Sequence, residues 1–228
     1  KIESGLGSSA GLAVALVGGV SKHGGENLTL HQIAERAWDI EVNKLGLFGG
    51  RQDQYAAAYG GVNVMEFNSL GVIVTPLARG FVEPILPYLL LFYTGFNRQS
   101  SKIQEGLKEL AVGQLLALDR IKALAIKAVE PIANGDVEKV ADLLRQSWEA
   151  KKLSNREATN EKIDKIYEEG IGQGALAGKI CGSGGGGHFL FIVPPDRKTF
   201  FIKKMEERGL KWVDFSVDWT GLDVRRTD

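Results

Sequence analysis

The sequence predicts an α+β fold in two lobes, and three observations support this fold class. A first apolar helical segment is followed by a second helix, which does not fit the β-α-β alternation of a doubly wound sheet. Segments typical of strands, alternating or continuously apolar, occur later among further helices. Three prolines and a glycine between residues 76 and 87 mark a crossing typical of a domain boundary. We therefore predict one lobe over residues 1–84 and another over residues 85–228.

Composition restricts the classes of function. The 228 residues are 44% hydrophobic, which allows a sizeable core. Lys and Arg total 28, as do Asp and Glu, so no overall field favours a nucleic acid or a membrane as partner, and anion binding must be local. The single Cys181 excludes an internal disulfide and a cysteine metal cluster, which suits a cytoplasmic protein. No apolar segment is long enough to span a bilayer.

The chain opens on the glycine loop Gly5-Leu6-Gly7-Ser8-Ser9-Ala10, which leads into an apolar helix. Its glycines allow a tight turn, and the first amides of the helix point at the loop, as in a phosphate cradle. A P-loop needs a lysine where Ser8 stands, and the dinucleotide fingerprint needs a strand before Gly5. The alternative interpretation, that this loop is a turn that only caps a core helix, remains open. Because the helix has no polar stripe, we predict that it is buried on most sides.

The second helix carries an acid on its apolar face. The spacing of Thr29 and Gln32 is that of a capping box, which predicts a helix start near Leu30. On the helical wheel, Glu41 lies one i+4 step beyond Ala37, inside the apolar stripe. A buried carboxylate needs a cation, a metal or strong donors. A salt bridge to a lysine or arginine at the core edge is the simpler alternative.

A second acid, Asp53, lies in a predicted short helix over residues 51–58 that Gly60 and Gly61 end. In the first turn the helix dipole favours the anion, so we predict a lowered pKa. Such an aspartate can also serve only to stabilise its helix. The alternation after this helix predicts a hairpin over residues 62–74.

The second lobe is predicted to begin with the strand Leu89–Tyr93. The following loop carries Arg98 among hydroxyls and amides, which suits a sugar or phosphate, although a plain connection is equally compatible. The charged positions on the next two helices are interpreted as solvated faces. Helical spacing predicts helices over about 101–132, 137–152, 161–169 and 196–208, and the other extended segments are 189–193 and 211–218.

A second glycine cluster, Lys179-Ile180-Cys181-Gly182-Ser183-Gly184-Gly185-Gly186-Gly187-His188, precedes the strand at 189–193. Consecutive glycines cost conformational entropy, so we predict a close backbone approach. The cluster formally matches the dinucleotide fingerprint, but a strand follows where that motif requires a helix. A lone cysteine and a lone histidine give weak support to a thiol nucleophile.

These two glycine motifs resemble those of the GHMP kinases, the superfamily of galactokinase, homoserine kinase and mevalonate kinase. The first loop is similar to their phosphate-binding second motif, and the segment from Lys179 to Gly187 to their glycine-rich third motif. The resemblance implies a ribosomal S5 domain 2-like N-terminal lobe, a ferredoxin-like C-terminal lobe, and ATP between the first loop and the C-terminal lobe. Residues 49–63, 93–96 and Ser147-Trp148 are most similar to the D-glycero-D-manno-heptose 7-phosphate kinases.

The resemblance also implies an activity: transfer of the ATP γ-phosphoryl group to the anomeric hydroxyl of the heptose 7-phosphate, giving the 1,7-bisphosphate. By motif, Asp53 matches the general base, and Ser9 and Glu41 match the Mg²⁺ ligands. ATP and a sugar phosphate are the expected partners, and a homodimer is a possible assembly. The implied nucleotide-binding residues are Gly5, Leu6, Gly7, Ser8, Ser9, Ala10, Gly184 and Gly185, and the implied substrate-binding residues are Asp53, Arg98 and Gly184.

Two alternatives remain, a GHMP kinase for another sugar such as galactose or fucose, and a catalytically silent sugar or nucleotide sensor. The first motif of these kinases, which lies upstream of the second, does not occur in the 228 residues. We therefore expect further sequence before Lys1, and we expect no kinase activity without it.

Overall fold

The computed structural model describes residues 5–47, 49–96 and 111–225, which pack as two units. The first unit contains residues Gly7–Arg79 together with residues 216–225, and the second contains residues 5–6 and 80–215. The division into lobes 1–84 and 85–228 stays a prediction. Arg98 lies outside the described residues.

Three helices form the core of the first unit: α1 (Ser8–His23), α2 (Leu30–Asp39) and α3 (Gln52–Tyr59). The capping box of α2 is confirmed, since Thr29 Oγ1 accepts the Gln32 amide at 3.2 Å and Gln32 Oε1 accepts the Thr29 amide at 2.9 Å. A π-helical turn, Ile40–Lys44, continues α2. The buried apolar core of this unit consists of Val14, Val17, Ile33, Ala34, Ala37, Tyr55, Ala58 and Val72.

The prediction that α1 is buried on most sides is wrong. Leu12, Leu16 and Val20 are 62%, 58% and 69% exposed, whereas Val14 and Val17 are buried. Within the described residues, α2 and α3 are the elements that pack most closely against α1, and they cover only one of its faces. The apolar composition of α1 therefore did not predict how many elements pack against it.

The rest of the first unit is a hairpin and the C-terminal return, which consists of residues 216–225. The hairpin, β1 (Asn63–Asn68) and β2 (Gly71–Pro76), is antiparallel as predicted. In the return, the Leu222 amide donates to the Ala58 carbonyl at 3.0 Å, and a Cβ on Gly18 would lie 2.7 Å from the Leu222 side chain. Of the extended segment predicted over 211–218, residues 211–213 form a paired strand, and the structure assigns no strand to residues 214–218.

The second unit contains a four-stranded antiparallel sheet with the spatial order β4-β5-β3-β6. Counted along the chain, its first strand lies between the third and the fourth, which is the ferredoxin-like arrangement and confirms the predicted topology. A short helix, α4 (Arg79–Val82), comes before these strands in the chain. The strands are β3 (Leu89–Tyr93), β4 (Ala177–Ile180), β5 (His188–Ile192) and β6 (Lys211–Val213).

Further helices complete the second unit, and those predicted near residues 137, 161 and 196 are confirmed. Trp148 is completely buried among side chains of the sheet and of neighbouring helices. No helix within residues 5–47, 49–96 and 111–225 is long and apolar enough to cross a bilayer. The helices are α5 (Val112–Ala133), α6 (Val137–Ser154), α7 (Glu161–Gly172) and α8 (Lys198–Glu207).

Candidate active site

The turn into α1 leaves amide donors available at its start. Gly7, the N-cap residue, has φ 66° and ψ 22°, a left-handed conformation that favours glycine. The first hydrogen bond of the helix runs from the Gly11 amide to the Gly7 carbonyl at 2.9 Å. The amides of Ser8, Ser9 and Ala10 therefore have no acceptor within the helix, and they lie at its positive end.

Glu41 lies in the π-helical turn and is only 8% exposed, which confirms its predicted burial. The widened turn is closed by the Leu45 amide, which donates to the Ile40 carbonyl five residues earlier at 2.9 Å. The Ser9 hydroxyl donates to Glu41 Oε1 at 2.6 Å, and Gln54 Nε2 donates to Oε2 at 2.7 Å. Both carboxylate oxygens thus have strong donors.

The donors of Glu41 are neutral. Within the described residues Glu41 forms no ion pair, so the predicted alternative of a salt bridge to a lysine or arginine is not found there. A hydroxyl and an amide give each carboxylate oxygen one hydrogen bond but do not balance its charge. The site therefore keeps a net negative charge in a nearly closed environment.

Asp53 lies beside the Gly7 turn. A Cβ on Gly7 would be 3.3 Å from Cβ and Cγ of Asp53, so the close approach depends on the missing side chain. Although Asp53 as a residue is exposed, partial burial of its carboxyl raises the pKa, and the charge of Glu41 raises it further. The predicted lowering by the dipole of α3 is wrong, because desolvation and a like charge outweigh the dipole of an eight-residue helix.

The structure thus brings together Gly7, Ser9, Glu41 and Asp53 from three separate segments of the first unit. Sequence reasoning missed Gln54, which is buried and whose Oε1 has no hydrogen-bond partner among the described residues. A signal was present, since Gln54 lies four residues before the buried Ala58 on the same face of α3. The roles assigned to these side chains stay predictions.

The backbone of the glycine-rich loop of the second unit lies close to other backbone segments of the protein, which is the close approach that we predicted. Gly184 has φ 107°, and a Cβ there would lie 2.4 Å from the Ala158 carbonyl oxygen. The Gly185 amide donates to that oxygen at 2.9 Å, and the Gly187 amide donates to Phe96 O at 2.8 Å. The assignment of Gly184 and Gly185 to nucleotide or substrate stays a prediction.

We expect Gly184→Ala to destabilise the second unit. Left-handed backbone costs a non-glycine residue about 1–3 kcal/mol, and the clash with Ala158 adds to that cost. For a protein of this size, the strain alone corresponds to a fall in Tm of about 2–4 °C per kcal/mol, measured by thermal unfolding. Gly172→Ala is the control, because a Cβ on Gly172 meets nothing within 4 Å. Equal Tm values for the two variants would contradict the expected strain.

The comparisons with known proteins identify the family. The model of the GHMP kinases N terminal domain matches residues 1–61, and that of GHMP kinases C terminal matches residues 125–210. Over 224 residues the chain is 35% identical to a D-glycero-alpha-D-manno-heptose 7-phosphate kinase of Campylobacter jejuni. The chain belongs to the GHMP kinase family. The resemblance seen in the two glycine motifs is therefore confirmed.

Solved structures support the same fold for this GHMP kinase. A D-glycero-D-manno-heptose 1-phosphate kinase from Bacteroides thetaiotaomicron is 31% identical with a TM-score of 0.73, covering 94% of this chain and 61% of that one. A putative sugar kinase from Campylobacter jejuni is 33% identical with a TM-score of 0.75, covering 96% and 64%. The Campylobacter heptose 7-phosphate kinase is matched over 96% of this chain and 66% of its own length. The chain thus spans less than two thirds of the length of each of these relatives.

The residues of this GHMP kinase fit a magnesium ion bound together with a nucleotide. No group of three or more His, Cys, Asp or Glu that could hold a metal alone occurs in the part of the chain that the structure describes. Mg²⁺ commonly needs only one or two protein carboxylates, since substrate phosphates and water supply its other oxygens. Glu41 provides a carboxylate without a cationic partner, and the hydroxyl of Ser9 lies 2.6 Å from it.

Proposed function

We propose that this protein is an ATP-dependent kinase that phosphorylates the anomeric hydroxyl of D-glycero-D-manno-heptose 7-phosphate, giving the 1,7-bisphosphate. The observation that carries the proposal is the proximity of two carboxylates, Glu41 and Asp53, to the glycine turn that starts α1. Phosphoryl transfer requires this combination of anion-binding amides, a metal-binding acid and an acid beside the acceptor. The similarity to a heptose 7-phosphate kinase supports the choice of sugar.

In the proposed mechanism, the amides of Ser8, Ser9 and Ala10 bind phosphate oxygens of ATP. Ser9 and Glu41 would hold Mg²⁺, which would supply positive charge to offset that of the phosphate oxygens. Asp53 accepts the proton of the acceptor hydroxyl while the oxygen of that hydroxyl forms a bond to the γ-phosphorus. The bond from that phosphorus to the β,γ-bridging oxygen breaks, and ADP leaves with the electron pair.

The environment of Asp53 suits the role of general base. Burial and the Glu41 charge raise its pKa, which brings its proton affinity closer to that of a base working near neutral pH. Gln54 supports the arrangement by fixing the Glu41 carboxylate from the same helix, one residue after Asp53. We therefore assign Gln54 as a positioning residue.

The pH dependence of kcat/KM is expected to reflect this raised pKa. The base must be ionised, so activity falls as pH drops through the pKa of Asp53 in the free enzyme. Because that pKa lies above the ordinary value of 3.8, we expect the acid limb of the profile at a higher pH than for an unperturbed aspartate. A profile still flat near pH 4, measured by coupled ADP release, would contradict this expectation.

A coupled ADP-release assay over a panel of sugars tests the proposed function. The panel contains the heptose 7-phosphate, the heptose 1-phosphate, galactose, fucose and mannose, with Mg²⁺ and ATP. We expect the highest kcat/KM with the 7-phosphate and an anomeric phosphate in the product by ³¹P NMR. A higher kcat/KM with another sugar would make that sugar the assigned substrate. A sugar-dependent shift in Tm without ADP release would indicate a sensor instead of a kinase.

A further inference from the structure

Two lysines lie together at the end of β4 in the second unit. Lys179 shares a face of β4 with Ala177, because alternate residues of a strand point to the same side. Ala177 packs against Val137 and Ala141 of α6, and Lys151 lies in the last turn of the same helix. Cys181, two residues after Lys179, continues that face. All three polar groups are half-buried.

These lysines have no acidic partner among the described residues. Lys151 Nζ donates to the Gly182 carbonyl, whereas Lys179 forms no hydrogen bond or ion pair with any described residue. The neighbouring Lys152 behaves differently, since it pairs with Glu149 at 2.8 Å. The interpretation of every lysine on α6 as a solvated surface charge is therefore wrong for Lys151.

The energetics of the pair favour an anion. Burial, together with the charge of Lys179, lowers the pKa of Lys151 to about 8. Burial also lowers the pKa of Lys179. A nearby anion would stabilise both ammonium groups and replace the water that they have lost. The thiol of Cys181 is a weak candidate for that anion, because burial raises its pKa.

The position of the pair links it to both glycine motifs. Lys151 binds the carbonyl of Gly182, the first glycine of the third motif. A Cβ on Gly182 would lie 2.9 Å from Cα of Gly5, and a Cβ on Gly5 would lie 3.1 Å from the Cys181 carbonyl oxygen. Gly5 begins the second motif. Lys151 therefore bonds directly to one side of a contact between two backbone segments that the family resemblance assigns to phosphate binding, and Lys179 lies two residues before Cys181 of that contact.

We propose that Lys151 and Lys179 form an anion site that binds a phosphoryl group of a substrate of the kinase. This inference rests on the proposed function, in which both the acceptor sugar and ATP carry phosphoryl groups. Either source supplies the same chemistry, a tetrahedral dianion facing two ammonium groups. Alkylation and kinetic experiments distinguish the sugar phosphate from ATP as the source of the phosphoryl group, and the alkylation experiment needs no catalytic activity.

Cys181 provides the readout that is independent of activity, because it is the only cysteine in the sequence. Burial raises the pKa of its thiol and the two lysines partly offset that rise, so an anion bound to them will slow alkylation by N-ethylmaleimide. For inorganic phosphate with the wild-type protein, we expect slowing of about threefold or more, equivalent to about half a pKa unit. The same measurement with heptose 7-phosphate, unphosphorylated heptose and ATP shows which compounds occupy the site.

Lys179→Met and, separately, Lys151→Met test the assignment. Each is expected to slow the basal alkylation rate and to abolish the effect of phosphate, whereas the control Lys152→Met is expected to retain both wild-type rates. Thermal unfolding verifies that each variant is folded. Equal protection by phosphate in Lys179→Met and in the wild type, or no protection by any phosphorylated compound, would overturn the anion site.

Steady-state kinetics identify the source of the phosphoryl group. A rise of about tenfold in KM for the heptose phosphate, with KM for ATP unchanged, assigns the site to the sugar phosphate, and the opposite pattern assigns it to the nucleotide. Unchanged KM values for both would overturn the inference. If the full-length wild type releases no ADP with any sugar, the proposed function fails, and the alkylation experiment still decides whether the lysines bind an anion.

Discussion

Asp53→Asn is expected to lower kcat for ADP release by about 10²- to 10⁴-fold, the usual contribution of a general base. Asparagine has nearly the same shape as aspartate but cannot accept the proton of the acceptor hydroxyl. The substitution also removes the repulsion between Asp53 and Glu41, so the fold should not lose stability. The coupled ADP assay and thermal unfolding, applied to the same preparation, measure the two effects.

Asp196→Asn is the control for this variant, because Asp196 is an exposed residue of the second unit. We expect wild-type turnover from the control. Turnover of Asp53→Asn within a few-fold of wild type would remove Asp53 from the role of base. A rise in KM with unchanged kcat would instead show that Asp53 only helps to bind the acceptor.

Glu41→Gln is expected to raise the Mg²⁺ concentration needed for half-maximal activity by about 10- to 100-fold, with a lower kcat at saturation. The amide can still accept the hydrogen bond from Ser9, so the geometry of the turn is largely kept. What is lost is the negative charge that attracts the metal. Titration of ADP release with Mg²⁺ at saturating ATP measures this change.

Glu66→Gln is the corresponding control, since Glu66 is exposed on the hairpin of the same unit. Its Mg²⁺ dependence should match that of the wild type. If Glu41→Gln shows the wild-type Mg²⁺ dependence, Glu41 is not a ligand, and its burial serves only the packing of the π-helical turn.

Local patterns in the sequence predicted the parts of the site that depend on local geometry. The 3.6-residue period placed Glu41 on the buried face of its helix, and the glycines of the second cluster indicated close backbone approach. The period could not identify the partners of Glu41, because Ser9 lies 32 residues away and Gln54 lies 13 residues away in sequence. Pairings of this kind depend on how α1, α2 and α3 pack together.

The wrong predictions share the same physical origin. The dipole of α3 is a local property and predicted a lowered pKa for Asp53, whereas the dominant effects come from burial and from Glu41 on another helix. Lys151 was interpreted as a solvated charge of α6, but it is half-buried and Lys179 of β4 lies beside it. The exposure of Leu12 on α1 likewise depends on which elements pack around that helix.

The most direct test of the account is a crystal structure of the protein with Mg²⁺, a non-hydrolysable ATP analogue and heptose 7-phosphate. We expect phosphate oxygens on the amides of Ser8, Ser9 and Ala10, and a metal ion at about 2.1 Å from an oxygen of Glu41. We also expect the Asp53 carboxylate within about 3.2 Å of the anomeric hydroxyl. A nucleotide bound with its phosphates away from the α1 turn, or with neither acid near metal or acceptor, would contradict the account.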